Sequence, residues 1–259
     1  MRREYSTRLF WIIEINYTYD TCAKIFRFKS IQLSSPCVNL FYKVAKLGMN
    51  QIAVLPPTIG ACTQLKRLYV TDNKIAALPL ELAQCAGMIV LHCGVNLLKE
   101  LPPELFGAET PLTQLNDLEL YRNKLTSLPE DFGKGFAALS TLSLSGNALK
   151  AVPAGVASGC LELKELHLAN NAKLAKVPEE LNACGKLEYV SLAGCAAVKA
   201  LPQSLVAAWL SLRELDVRSG AKKEKCKLTA EWVEAAAARG FLLRGGIPPK
   251  KKKGKKGKK

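Results

Sequence analysis

Apolar residues return at fixed intervals through most of this chain. One copy of the pattern runs Leu65, Leu68, Val70, Asn73, Ile75, Leu78, Pro79, Leu82, which spells L-x-x-L-x-L-x-x-N-x-L-x-x-L-P-x-x-L. The next begins at Met88 and continues through Leu91, Cys93, Asn96, Leu98, Leu101 and Pro102. Others begin at Leu115, Leu139, Leu163 and Leu187, with a looser copy from Tyr42 and an incomplete one from Leu212. The eight starts are separated by 23, 23, 27, 24, 24, 24 and 25 residues. Within each copy the last two apolar positions of L-x-x-L-x-L alternate with their neighbours at period 2, which predicts a short strand with one face buried. One such strand cannot cover its own apolar face. Stacked copies can, and the stability of the stack is then a sum of repeat and neighbour terms.

Two further positions recur. Asn50, Asn73, Asn96, Asn123, Asn147 and Asn171 follow the strand where the backbone must turn. An asparagine there can bond to backbone groups that the turn leaves unpaired, which otherwise cost about 1–3 kcal/mol each when buried. These asparagines are read as structural. Seven copies then step into a proline, at Pro56, Pro79, Pro102, Pro129, Pro153, Pro178 and Pro202. Proline fixes φ and lacks an N–H, so it suits a convex connection and not a central strand.

This spacing resembles the leucine-rich repeat superfamily, and the proline step looks like the intracellular Ras-suppressor and Scribble type of repeat. The resemblance covers about residues 42–220. It implies an α/β solenoid, a curved horseshoe with parallel strands on its concave face and short helical or irregular segments on its convex side. It also implies protein binding through the concave face. The organisation expected is a non-repeat segment over 1–41, repeats over 42–220, a helical cap over 221–249 and a Lys-rich tail over 250–259. In the cap, Thr229 is the expected N-cap, Leu228 and Val233 have the spacing of a hydrophobic staple, and Glu231, Arg239 and Gly240 fit the first turn, the last turn and the residue past the end. Trp232, Val233 and Leu242 are expected to cover the open end of the stack.

Residues 1–41 hold eight aromatics and a single alanine, unlike the repeats. Three readings stay open for them: an amino-terminal cap, a degenerate repeat, or a misassigned start of the reading frame. The apolar run Leu9 to Ile13 ends at Glu14, too short for a secretory core. No run approaches the roughly 18 apolar residues of a membrane span.

The formal charge of +15 is unevenly placed. By region the net charges are +3 for 1–41, +1 for 42–220, +3 for 221–249 and +8 for 250–259. The basic character therefore belongs mainly to the tail, where Lys250, Lys251, Lys252, Lys253, Lys255, Lys256, Lys258 and Lys259 are interrupted only by Gly254 and Gly257. Such a segment repels itself and buries nothing, so disorder is expected. Pro249 followed by Lys250 to Lys253 also resembles a nuclear import signal, and contact with nucleic acid or an anionic surface is a further expectation for these lysines.

Nine cysteines invite a disulfide or zinc reading, and register argues against it. Cys62, Cys85, Cys160 and Cys184 lie three residues before a repeat start, where other copies have Leu112, Phe136 and Trp209. Cys93 replaces a strand leucine and Cys195 an asparagine. Only Cys22, Cys37 and Cys226 lack a place in the repeat. There is no C-x-x-C pair, and thiols used as small hydrophobes fit a reducing compartment. His92 and His167 are placed on the concave face three strands apart, roughly 15 Å, which excludes one metal ion shared by both. A triad built on His167 with Ser143 or Ser191 would need Asp216, two strands off and out of hydrogen-bond reach. No catalytic residue, metal or cofactor is expected.

One concave column reads Lys46, Tyr69, His92, Glu119, Ser143, His167, Ser191, Asp216, and the column two residues earlier reads Val44, Arg67, Val90, Asp117, Thr141, Glu165, Tyr189, Glu214. The expected partner surface is Arg67, Tyr69, His92, Asp117, Glu119, Tyr121, Arg122, Glu165, His167, Tyr189 and Asp216, basic towards the amino terminus and acidic beyond it. Aromatic and Arg side chains are those that dominate interface energetics, whereas nucleic acid would need a basic track. The reading is a non-enzymatic, monomeric protein-interaction scaffold, in signalling by resemblance, in the cytoplasm with the nucleus as the alternative. Two competing readings are an architectural subunit of a ribonucleoprotein or chromatin assembly that uses the tail, and a regulatory or adaptor subunit of an enzyme.

Overall fold

The computed structural model describes residues 43–218, 226 and 228–246. The expectations for residues 1–41, Cys22 and Cys37 among them, and for the Lys-rich tail fall outside these residues. Nine short strands form one parallel sheet in chain order: β1 (Val44–Lys46), β2 (Arg67–Tyr69), β3 (Val90–His92), β4 (Asp117–Glu119), β5 (Thr141–Ser143), β6 (Glu165–His167), β7 (Tyr189–Ser191), β8 (Glu214–Val217) and β9 (Leu242–Gly245). The register is constant from strand to strand, for example Leu68↔Leu91, Leu91↔Leu118 and Leu118↔Leu142. The middle residue of each strand from β1 to β8 faces inward and is buried, so the period-2 pattern produces the core directly.

The turns after the strands share two devices. Each buried asparagine ties three chain segments together: Asn123 accepts from the Leu98 N–H at 3.0 Å and donates to the carbonyls of Cys93 and Leu120, both at 3.0 Å. Asn73, Asn96, Asn147 and Asn171 make equivalent contacts. The residue just before that position is left-handed in seven copies, at Met49, Asp72, Val95, Arg122, Gly146, Asn170 and Gly194. Where Cys195 stands in place of asparagine, its Sγ keeps one contact, 3.1 Å to the Leu168 carbonyl. A thiol offers no comparable acceptor, and the Leu174 N–H turns instead to the Asn171 carbonyl at 3.0 Å.

On the convex side the prolines start short turns of helix. Single 3-10 turns span Pro57–Ala61, Leu80–Gln84 and Glu179–Ala183. Brief α-helices are α1 (Pro103–Phe106), α2 (Gly155–Gly159) and α3 (Ser204–Ala208). The copy of 27 residues absorbs its extra length in a loop closed by Thr110, whose hydroxyl donates to the Leu105 carbonyl at 2.6 Å and accepts from the Leu112 N–H. Beside it Phe106, Phe132 and Phe136 form a fully buried aromatic cluster with centroids 5.7–6.1 Å apart. Cys62, Cys85, Cys160 and Cys184 sit at one convex core position with Leu112, Phe136 and Trp209, all buried, and Cys226 is buried too.

The far end of the stack is closed by α4 (Ala230–Arg239). Thr229 has the extended N-cap conformation without a side-chain cap bond, and Gly240 ends the helix in the left-handed region at φ 72°. Trp232 is fully buried against Trp209, 6.1 Å between centroids, and Arg239 donates to the carbonyls of Trp209 and Val206. Two expectations are corrected here. Leu242 does not cover the core: it lies on β9, 48% exposed, and its neighbour Phe241 turns inward in its place. The ninth strand itself, paired with β8 over four residues, extends the sheet past the last sequence repeat.

Candidate functional site on the concave sheet face

The register brings the two expected columns together on one face. Arg67, Tyr69, His92, Asp117, Glu119, Glu165, His167 and Tyr189 all occupy it, exposed or half-buried. A third row follows each strand, and its one large aromatic is Tyr121, whose ring lies on Gly94, where any β-carbon would overlap it. The glycine thus fixes where this tyrosine stands. Arg122 is the exposed left-handed turn residue beside it.

His92 lies between two carboxylates. Its Nε2 is 2.8 Å from Asp117 Oδ2 and its Nδ1 3.3 Å from Glu119 Oε2. Burial opposes the charged ring, but the Asp117 hydrogen bond and the charges of Glu119 and Asp117 hold its pKa above the ordinary histidine value. Burial, with Asp117 nearby, pushes the Glu119 carboxyl above the usual range against the pull of His92 and His167. His92, Asp117 and Glu119 are the group among the described residues whose donor atoms come within 4.8 Å of one another, close enough to consider one metal ion. Each ring nitrogen, however, faces a different carboxylate. That suits a protonated ring bridging two anions, because a ligand histidine turns one lone pair to an ion that its partners share.

Farther along, His167 Nε2 meets Glu165 at 3.1 Å and its ring packs on Tyr189 at 4.9 Å between centroids. Tyr69 packs edge-on against His92 at 5.0 Å. Two His–Tyr pairs therefore flank a centre made of the β4 carboxylates and the small side chains of β5, Thr141 and Ser143.

The acidic half is smaller than its sequence implies. Asp216, expected on the exposed column, is buried, and Arg218 takes up its carboxylate at 2.6 Å. Burial works against that charge, yet the Arg218 bonds and the Arg244 charge hold the Asp216 carboxyl below the usual range. Arg244 on β9 pairs with Glu214 at 2.6 Å, and Arg213 with Glu188 at 2.9 Å. Arg218 was legible, two residues after Asp216 and so on the same side of the strand. Arg244 was not, because its strand was not foreseen.

The leucine-rich repeat family model matches residues 113–172. Among solved structures, the leucine-rich repeat domain of the type III effector XopL aligns with a TM-score of 0.69 and 20% identity, over 86% of this chain and 74% of that one. Residues 113–172 thus carry leucine-rich repeats, and the described residues have the leucine-rich repeat fold. The Arabidopsis receptor kinase HAESA, solved in complex with the peptide hormone IDA and the co-receptor SERK1, aligns with a TM-score of 0.59 and 29% identity over 72% of this chain and 30% of that one. The functional domain of InlJ from Listeria monocytogenes, which includes a cysteine ladder, aligns with a TM-score of 0.58 and 23% identity over 73% and 36%. This leucine-rich repeat domain thus spans about a third of those two chains. No curated protein matches it in sequence.

Proposed function

We propose that this protein is an intracellular, non-enzymatic scaffold whose leucine-rich repeat domain binds a protein partner on the concave sheet face. The observation that carries this reading is the pair of ordered aromatic stations, Tyr69–His92 and Tyr189–His167, on either side of an acidic centre. Aromatic side chains already held by neighbours lose little freedom on binding, which is what makes them effective anchors. Leucine-rich repeat domains generally act as interaction modules, and the similar receptor kinase HAESA was solved in complex with a peptide hormone and a co-receptor. The intracellular placement rests on chemistry: Cys62, Cys85, Cys93, Cys160, Cys184, Cys195 and Cys226 are all free and buried. Burial pushes the thiols of Cys85, Cys184 and Cys226 up to about 11 and that of Cys160 to about 12, which keeps them protonated and inert in a reducing compartment. A role in signalling is part of the proposal and comes from the resemblance of the proline-step repeats.

Substituting Tyr69, Tyr121 and Tyr189 together by Ala tests it. Affinity purification of the wild type and the variant should return a set of partners with the first that the second lacks, at matched melting temperatures. Equal recovery with both would move the interface off this face.

A further inference from the structure

Among the described residues, the concave carboxylates fall into two classes. Glu188, Glu214 and Asp216 each hold an arginine. Asp117, Glu119 and Glu165 touch no lysine or arginine and meet only the two histidines. Between them β5 and its turn contribute Thr141, Ser143 and Ser145, so a trough floored by small hydroxyl side chains runs between two walls whose three acids share two histidines and keep a net negative charge. Tyr121 stands at one wall and Tyr189 beyond the other. A floor of that size and walls of that sign and aromatic character fit a long, thin cation.

We propose that the chain supplies this cation itself: the Lys-rich segment 250–259 folds back across β9, β8 and β7 and lays lysines into the trough. Charge is one reason. That segment carries eight lysines, whereas the repeat region 42–220 has a net charge of only +1. Topology is another. Because every strand is parallel, the chain leaves β9 at the same edge of the sheet as the turns that carry Tyr121 and Ser145. Reach is the third. From β9 the trough walls lie three strands away at β6 and five at β4, about 14 and 24 Å at the usual strand spacing. The segment 247–259 can extend about 43 Å, so its lysines pass over both walls. The arginines on the way, Arg244, Arg218 and Arg213, are already paired and set up no repulsive barrier. A short tether also holds the lysines at a local concentration in the millimolar range, so weak exposed ion pairs suffice for occupancy. The docked segment would compete with any ligand of the same face, and its docking does not depend on such a ligand existing.

Zero-length carbodiimide cross-linking of the full chain, which joins a lysine amine to a carboxylate only when the two are in contact, tests this directly. At low salt the monomer should yield amide links from Lys250–Lys259 to Asp117, Glu119 or Glu165. These should disappear at about 0.5 M NaCl, where screening is nearly complete. They should also outnumber links to the exposed convex acids Glu104, Glu130, Glu179 and Glu180. Links spread evenly over the convex acids, or found only between molecules, would overturn the proposal. In the full-length variant Asp117→Asn, Glu119→Gln, Glu165→Gln, checked for an unchanged melting temperature, trypsin should remove the tail several-fold faster than from the wild type. Equal rates would overturn it as well.

Discussion

At the scale of single residues, the turn after each strand shows what composition reveals and what it hides. The asparagine ladder was legible, because one residue type recurs at one register and its amide can both donate and accept. The left-handed residue before it was not. Met49, Asp72, Val95, Arg122 and Asn170 share no chemistry, and the requirement comes from the backbone, whose bonds to the next repeat fix φ whatever the side chain. Val95 is the outlier, a β-branched residue at φ 52°. Such strain costs on the order of 1 kcal/mol or more, so Val95→Asn should raise the melting temperature, where the same change at a relaxed surface position would be neutral. A lower melting temperature would show that Val95 packing outweighs its backbone cost. His92 makes a second residue-scale prediction. Its folded pKa lies above the ordinary 6.5, so the pairing with Asp117 and Glu119 contributes fully below that value and is lost as pH rises through the folded pKa. The urea midpoint of wild type minus that of His92→Gln should therefore shrink as the pH rises above the ordinary histidine value. A constant difference would mean that the ring stays neutral throughout.

At the scale of elements, the strands of the repeats were readable because alternation continues for enough copies to fix the register, and α4 because its termini carry their own signals at Glu231, Arg239 and Gly240. The last strand escaped notice since Leu242–Gly245 offers two adjacent leucines and no alternation. Its pairing comes from the exposed ladder of β8 and not from its own pattern. The end of the solenoid depends on Trp232 more than on that strand: the indole is fully buried against Trp209, which itself donates from Nε1 to the Leu181 carbonyl at 2.9 Å. Trp232→Ala should destabilise by about 3–5 kcal/mol. Hydrogen exchange should speed up first in β8 and α3, with β2 and β3 little changed, because each repeat feels mainly its neighbours. Uniform acceleration along the stack would mean that the solenoid unfolds as one unit.

At the scale of the molecule, charge is the property that sequence columns misjudge most. Both columns were placed correctly by register, yet the acidic half they suggested shrinks to β4 and β6 once Arg218 and Arg244 are seen beside Asp216 and Glu214. Column reading assigns side chains to a face, and it does not show how far a long arginine leans along that face to a neighbour. The proposed binding surface contracts accordingly to the middle of the sheet, where His–Tyr pairs stand beside carboxylates that meet histidine but no lysine or arginine.

The constant strand register has one more consequence, for the length of the protein. The junctions from β1 to β6 all use the same pairing and the same asparagine bridge, so those joints carry no address. Excising residues 139–162, one complete 24-residue period, would let Leu163 follow Ala138 and place Asn171 where Asn147 had bonded to Leu125 and Leu120. Asp117 would then face Glu165, and Glu119 would face His167. A shorter rod with one strand fewer should fold, melting lower than its parent because one interface is lost and two carboxylates stand opposed. Circular dichroism would show the retained fold, and a chain unfolded at 25 °C would mean that the joints are individual after all. Chains built on such interchangeable joints can gain or lose a turn without redesign, and here that freedom is limited at the aromatic cluster of Phe106, Phe132 and Phe136, where two adjacent repeats are locked as a pair.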